Sequence, residues 1–87
     1  MKDINFFCRI CGYKHLEPQW GEDGMSPTYE FCSCCGVEAG HEDYSIESIR
    51  QYRTDWIHKG ARWYENWKKP VDWNLEAQVK NIPAELV

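Results

Sequence analysis

The stretch from residue 8 to residue 36 reads CRICGYKHLEPQWGEDGMSPTYEFCSCCG and holds all five cysteines of the chain. A Cys-x-x-Cys-Gly unit stands at each end, and twenty residues lie between Cys11 and Cys32, the upper limit of the spacing typical of four-cysteine zinc sites. Two cysteines three residues apart in a tight turn can direct both sulfurs at one ion, and a second turn completes the tetrahedron. The stretch therefore predicts one metal site, whose ligands are Cys8, Cys11, Cys32 and Cys35.

Disulfide bonds and a redox-active cysteine pair explain the same cysteines less well. The number of cysteines is odd, and the N-terminal residues lack the apolar segment of a secretory signal. We therefore expect the chain in the cytoplasm, where thiols stay reduced. A thioredoxin-like pair would open a helix inside a β-α-β pattern, and no such pattern surrounds either unit.

The expected metal is a single structural zinc, with iron as the alternative, because four thiolates bind either ion. A site with four protein ligands leaves no open position for water, so it stabilises the fold and does not catalyse. Two further residues are candidates for an alternative ligand or for a group that supports the ligands. They are Cys34, inside the second unit, and His41, which we regard as the only histidine with a plausible route to the site.

The length of the chain determines how it can be stabilised. The 87 residues form one domain, and a chain of this size buries only about 60–65% of its unfolded surface, so a metal is an expected reinforcement. Short segments that lead into the two cysteine units, 4–8 and 28–32, predict strands. We therefore predict an α+β fold, in which residues 1–44 form a small antiparallel, three-stranded zinc-ribbon (rubredoxin-like) module.

The second half of the chain predicts two helices. Ser45 is a candidate N-cap, and apolar residues recur after it at helical spacing, which indicates a long helix from residue 46 to 59 or 66. A short helix follows over residues 75–82, whose apolar positions fall on one face. We expect residues 45–87 to pack on the cysteine module as a helical tail.

Charge is divided unevenly along the chain. The formal net charge is −4, and residues 16–49 contain eight acidic residues without a lysine or an arginine. Residues 48–87 reverse the balance, with seven basic residues against five acidic ones. Nucleic-acid binders usually carry a basic surface, which disfavours that class. An acidic surface steers basic partners, so a basic protein is the expected partner.

Tryptophans and acidic loop residues are the candidates for contact with that partner. The chain has five tryptophans, and tryptophan is enriched in interface hot spots, although the same side chain also fills the cores of small proteins. The candidate contact residues are Trp20, Glu22, Asp23, Glu42, Asp43, Trp63 and Trp67.

Three segments carry a resemblance to a known family: CRICGY at residues 8–13, WGEDGMSPTYEFCSCCG at 20–36 and YRTDWIHKGARW at 52–63. They resemble the small bacterial cysteine-rich proteins of the CPCC type, with Ser33 in place of the proline of that motif. The resemblance covers most of the chain. It implies a zinc-ribbon module with a helical tail and, as in some members, a role as an immunity protein encoded near a toxin. The cysteine units also resemble those of rubredoxin, whose site holds iron.

Three functions are compatible with these features. The chain has no long apolar run, which excludes a transmembrane helix, and no nucleophile elbow or phosphate-binding loop, so we predict that it is not an enzyme. We expect a structural-zinc protein that acts as a protein–protein interaction module, an immunity protein or an adaptor for a basic partner. The alternatives are a rubredoxin-like iron electron carrier and a nucleic-acid-binding zinc ribbon that uses Arg62, Trp63, Lys68 and Lys69. The oligomeric state stays open.

Overall fold

The computed structural model describes residues 6–87. In chain order it contains two cysteine hairpins, at residues 6–15 and 30–39, helix α1 (Ile46–His58), a 3-10 turn at Asn66–Lys68, helix α2 (Leu75–Val79) and a second 3-10 turn at Ala84–Leu86. None of the helices in this part of the chain is long and apolar enough to cross a bilayer. Residues 4 and 5 of the first predicted strand lie outside the described residues.

The two hairpins share one hydrogen-bond pattern. In the first, the Cys8 amide donates to the Tyr13 carbonyl (2.8 Å) and the Gly12 amide donates to the Cys8 carbonyl (3.0 Å). In the second, Cys32 donates to Val37 and Gly36 donates to Cys32, each at 2.9 Å. Both glycines have positive φ, +82° and +81°, a conformation that glycine adopts without steric cost. The repeated Cys-x-x-Cys-Gly unit therefore forms the same tight turn twice.

The predicted antiparallel zinc-ribbon sheet is wrong. Over residues 6–87 the structure contains no strand and no sheet, and strand-like pairing is limited to one bridge per hairpin, Phe7 with Lys14 and Phe31 with Glu38. Tyr29, in the middle of the predicted second strand, has a φ of +63°, which breaks extended backbone. Pro18, four residues after the first bridge, has no amide N–H and so cannot donate a hydrogen bond to extend a sheet. The fold is therefore two turns joined by loops, with α-helical elements beside them.

Helix α1 begins where its cap predicts. The Ser45 side chain accepts a hydrogen bond from the Ser48 amide (3.1 Å). The negative charge of Glu47 in the first turn interacts favourably with the positive end of the helix dipole. The helix ends at His58 and not at residue 66, because Gly60 follows with a φ of +102°. Ile49 and Trp56 are the buried residues of α1, and they join the core that surrounds the cysteines.

Arg53 ties three parts of the chain together. Its guanidinium donates to the carbonyls of Ile10 (2.6 Å) and Arg9 (2.8 Å) in the first hairpin, and to the carbonyl of Leu86 (2.8 Å) near the C-terminus. Hydrogen bonds from a charged donor are stronger than neutral ones. This side chain therefore fixes α1 and the C-terminal turn against the backbone between the first two cysteines.

Helix α2 packs closely on the first hairpin. Its Gln78 side-chain amide donates to the Cys11 carbonyl (3.1 Å) and to the Cys34 sulfur (3.3 Å). A Cβ placed on Gly12 would lie 2.3 Å from the Gln78 carbonyl oxygen. The absence of a side chain at residue 12 is therefore required for this contact as well as for the turn.

We expect Gly12→Ala to lower the free energy of unfolding by about 3 kcal/mol, because it combines an unfavourable φ with a steric clash. The matched control is Gly60→Ala, since Gly60 also has positive φ but has nothing within 4 Å of its Cβ position, and it should cost only about 1–2 kcal/mol. Urea unfolding of the metal-loaded chain measures both. Equal costs would contradict the packing of α2 on Gly12.

Candidate metal centre

The two hairpins bring four sulfur atoms together in the core. Cys8 Sγ lies 3.7 Å from Cys35 Sγ, and Cys11 Sγ lies 3.7 Å from Cys32 Sγ, so each hairpin contacts the other through both of its cysteines. All four sulfurs lie within 4.8 Å of one another. None of the chain's cysteines forms a disulfide, so all four thiols are available as ligands.

The spacing of the sulfurs fits a tetrahedral ion. With a metal–sulfur distance of about 2.3 Å, the edges of a tetrahedral site are about 3.8 Å long, close to the two 3.7 Å contacts. The cysteines are almost fully buried, with exposures between 0 and 6%, and thiolates are the donors that zinc and iron accept. The four-cysteine site can therefore bind a metal ion, and the geometry leaves the choice between zinc and iron open.

Backbone amides support one sulfur in each hairpin. The Ile10 amide donates to Cys8 Sγ and the Cys34 amide donates to Cys32 Sγ, each at 3.4 Å. The donor stands two residues after the first cysteine in both units, so the repeated turn also repeats this contact. Such donors stabilise a thiolate relative to a thiol, which favours the ligand form of both cysteines.

The electrostatics of the buried cluster favour ionisation at Cys32. Burial opposes ionisation of Cys32, but interactions with the neighbouring thiols of Cys11, Cys35 and Cys8 and with His15 outweigh it and hold the pKa of Cys32 well below its usual value. Burial raises the pKa of Cys11 and of Cys35 well above theirs. A metal ion must displace these protons on binding, so metal affinity should rise with pH.

His15 interacts with the sulfurs of Cys32 and Cys8, although it was not among the residues predicted for the site. Its burial disfavours the charged imidazolium, but the neighbouring sulfurs of Cys32 and Cys8 favour it and raise the pKa of His15 to about 9. Its Nε2 atom is buried without a hydrogen-bond partner among the described residues. One signal could have identified it: Tyr13 and His15 stand two residues apart on the return arm of the first hairpin, so their side chains face the same side.

Cys34 and His41 stand outside the four-sulfur group. Cys34 is fully buried, and its sulfur accepts the hydrogen bond from Gln78, so it links the second hairpin to α2. His41 lies at the surface, its side chain 70% exposed and its Nδ1 3.8 Å from a Glu38 carboxylate oxygen. The expected route from His41 to the metal is therefore absent from this structure.

Three of the candidate contact residues are in the interior. Trp20 donates its indole N–H to Asp43 (2.7 Å) and carries the Arg9 guanidinium 4.0 Å above its ring. Asp43 is fully buried and also accepts from the Gly40 amide (2.8 Å). Trp63 packs edge-on against Tyr13. These side chains hold the loops together and offer little surface to a partner.

The other candidates lie wholly or partly at the surface. Trp67 is 74% exposed, and Glu22 and Asp23 are exposed while Glu42 is half-buried. Asp23 accepts hydrogen bonds from the Met25 amide (2.9 Å) and the Ser26 hydroxyl (3.2 Å), which shows that part of its role is to form the local turn.

A groove of about 520 Å³ opens beside the metal centre. The groove is not evident from the sequence, because its walls come from three separate segments. His15 and Ser33 belong to its lining. Leu16 and Phe31 contribute exposed apolar side chains. Its walls also carry three carboxylates and one lysine. Those four are Glu17, Glu30, Glu65 and Lys68.

Comparison with known proteins identifies a distant relative. The chain is 32% identical to the uncharacterised protein YozI of Bacillus subtilis, over 66% of this chain and 60% of that protein. The chain thus spans about 60% of the length of this relative. No family model matches the chain, so the resemblance to CPCC-type proteins stays a prediction. No solved structure matches it.

We expect the variants Cys32→Ser and Cys34→Ser to distinguish a metal ligand from a cysteine that only lies beside the site. Cys32→Ser removes one of the four clustered sulfurs and should weaken metal binding at least about 100-fold, because an affinity on the order of 10 kcal/mol or more depends on the complete set. Cys34→Ser should keep one metal per chain. Competition against a chromophoric chelator measures both variants, and equal losses would contradict the assignment of Cys34 to the surroundings of the site.

Proposed function

We propose that the chain is a small protein-binding module whose fold is held together by one structural zinc on Cys8, Cys11, Cys32 and Cys35. The observation that carries the metal part is the tetrahedral spacing of four buried sulfurs. Zinc supplies a closed, redox-inert cross-link between the two hairpins when bound. Four reduced thiols are typical of proteins in reducing compartments, which supports a cytoplasmic location as part of this proposal.

The size of the expected binding energy supports a structural role. Structural zinc sites contribute on the order of 10 kcal/mol or more, which equals the whole stability of a typical small domain, about 5–15 kcal/mol. The core of this chain surrounds the cysteines, and over residues 6–87 no sheet exists that could hold the hairpins in its place. Without the ion, the contact between the centres of the two turns would rest on four buried thiols and on Gln78, whose amide reaches both turns.

The partner that best fits the groove is a basic protein segment with an apolar side chain. Leu16 is 97% exposed and Phe31 is 52% exposed, and Phe31 stacks on Tyr64 at 5.6 Å, so the groove offers apolar contact area. Lys68 Nζ lies 3.2 Å from Glu65 Oε1, so the lysine of the groove is paired with Glu65. Glu17 and Glu30 are the groove carboxylates that remain available to a ligand. The excess of carboxylates attracts lysine and arginine and repels nucleic-acid phosphates.

We expect the untagged chain, produced in medium with both zinc and iron, to contain one zinc per chain and to be colourless. A strong chelator should unfold at least residues 4–40, since the hairpins lose their common cross-link. Elemental analysis, a visible spectrum and circular dichroism with and without chelator give the result. One iron per chain with a thiolate charge-transfer band and a reversible potential would favour the electron carrier, and a thermal transition unchanged by chelator would refute the structural role.

Panning of random peptides on the zinc-loaded chain tests the groove. We expect selected peptides to combine lysine or arginine with an aromatic or aliphatic residue, and to bind about five- to tenfold more weakly to the double variant Glu17→Gln/Glu30→Gln, because each exposed ion pair contributes up to about 1 kcal/mol. Asp72→Asn/Glu85→Gln removes the same charge elsewhere on the surface and should leave affinity unchanged.

A second pair of variants tests the apolar wall of the groove. Leu16→Ser should weaken binding of the selected peptides, whereas Val71→Ser, at an equally exposed residue outside the groove, should not. No enrichment of peptides, or enrichment of peptides that bind all four variants equally well, would overturn the proposed partner. Affinities from titration calorimetry at low and high salt provide the comparison.

A further inference from the structure

The bridge of the second hairpin turns the backbone groups of Phe31 outward. Phe31 lies opposite Glu38, and the hydrogen bonds on either side of this pair are donated by the amides of Cys32 (2.9 Å) and Ala39 (3.0 Å). Opposite residues of an antiparallel ladder alternate between pairs that bond to each other and pairs that do not. Phe31 and Glu38 are a pair of the second kind, so the N–H and C=O of Phe31 point to the outer edge of its arm.

No backbone partner meets this edge within residues 6–87. The amides of Tyr64 and Glu65 donate to the carbonyls of Cys34 and Ser33, each at 2.9 Å, and this pairing of the tail with the second hairpin stops there. Two residues earlier, neither the N–H nor the C=O of Phe31 has a hydrogen bond to any described residue, and Phe31 is 52% exposed. The edge therefore offers one donor and one acceptor to another chain.

This edge belongs to the groove, whereas the opposite edge of the hairpin does not. Phe31 lines the groove together with Ser33 and Glu65, and Glu38 is not part of the lining. A segment that binds in the groove would therefore pass beside the N–H and C=O of Phe31.

We propose that the groove binds its basic partner as an extended segment, antiparallel to the arm of Phe31, with two backbone hydrogen bonds between Phe31 and the residue opposite it. The inference deepens the proposed function and rests on it for the charge of the partner. In recognition by strand addition, backbone hydrogen bonds provide affinity and alternate side chains provide specificity. A helical segment lacks the first of these contributions, because its backbone groups are already paired with each other.

The walls of the groove predict the sequence pattern of this segment. Leu16 stands beside Glu17 in one wall and Phe31 stands beside Glu30 in the other, so each wall combines an exposed apolar side chain with a carboxylate. Adjacent residues of an extended segment point to opposite faces. A segment in which lysine alternates with a β-branched apolar residue can therefore set its apolar side chains against Phe31 and its ammonium groups near the carboxylates. Pairs of both kinds stabilise neighbouring strands.

A synthetic octapeptide, acetyl-(Lys-Val)4-amide, tests the backbone contact without altering the protein. The residue opposite Phe31 exchanges both hydrogen bonds with it, and contact with the phenyl ring favours a valine there. N-methylation of every valine amide should therefore weaken binding to the full zinc-loaded chain at least about fivefold. N-methylation of every lysine amide is the matched control, since those groups point away from Phe31, and it should change the affinity less than about twofold. Titrations followed by NMR chemical shifts measure all three peptides.

Amide hydrogen exchange locates the contact on the chain. With the unmodified octapeptide at about ten times its Kd, exchange of the Phe31 amide should slow about tenfold, because only the free protein exposes that N–H. The control is the Glu38 amide, on the opposite edge of the same bridge, whose exchange rate should not change.

Proline variants remove the same donor from the chain itself. Proline has no N–H and is tolerated at strand edges whose N–H faces solvent. Phe31→Pro should therefore bind the octapeptide at least about fivefold more weakly than Phe31→Leu, which keeps the amide, whereas Glu38→Pro should bind it like the wild type. If Phe31→Pro does not fold, the methylated peptides and the exchange rates still decide, because both use the unaltered chain.

Equal affinities of the two methylated peptides, or an unprotected Phe31 amide in the complex, would overturn the inference, as would failure of the unmodified octapeptide to bind. If the panned peptides still lose affinity for Glu17→Gln/Glu30→Gln in these cases, the proposed partner stands without strand addition. No enrichment in the panning would refute the proposed partner itself, so the two failures are distinguishable.

Discussion

The close packing of four sulfurs is the contact on which the rest of the molecule depends. The two 3.7 Å contacts join the hairpins crosswise, and few other hydrogen bonds extend either hairpin beyond its single bridge. Four thiols in one buried place are a poor cross-link by themselves, because each is a weak hydrogen-bond donor and acceptor. A tetrahedral ion converts the same arrangement into a strong one. We therefore expect a metal bound by the four sulfurs to contribute much of the stability of the hairpin pair.

The C-terminal half of the chain extends the influence of this centre. Several of its contacts are with the backbone of the hairpins: Arg53 and Gln78 bind carbonyls of the first hairpin, and the amides of Tyr64 and Glu65 donate to the carbonyls of Cys34 and Ser33, each at 2.9 Å. Such carbonyls are in the right place only when the turns are formed. Loss of the metal should therefore release the tail as well as the hairpins, and the two halves of the chain should unfold together.

Local chemistry was predictable from the sequence, and contacts between distant segments were not. The spacing of the cysteines predicted which sulfurs meet, and Ser45 predicted the start of α1, because a turn and a cap each depend on a few neighbouring residues. The three-stranded sheet was wrong, since alternation in residues 28–32 gave no sign that Tyr29 would take positive φ. His41 was predicted to reach the site because it follows Cys35 by six residues. The structure instead leaves His41 at the surface and brings His15 near the sulfurs of Cys32 and Cys8. Trp20 and Asp43 were predicted as contact residues and instead bind each other in the interior.

The burial of Asp43 changes how the acidic half of the chain should be understood. The eight acidic residues of 16–49, with no lysine or arginine among them, suggest a uniformly negative surface. Asp43, however, is fully buried and accepts hydrogen bonds from Trp20 and Gly40, and the guanidinium of Arg9 donates to its backbone carbonyl (3.4 Å). The Asp43 carboxylate therefore stabilises the loop and adds little to the negative electrostatic potential at the protein surface. The negative potential that a partner meets therefore comes from fewer groups than the sequence contains, among them Glu17 and Glu30 at the groove. A four-thiolate zinc site adds two negative charges beneath the same groove, since four thiolates outweigh the charge of Zn²⁺. The metal that holds the hairpins together would thus also strengthen the attraction of the groove for a basic segment.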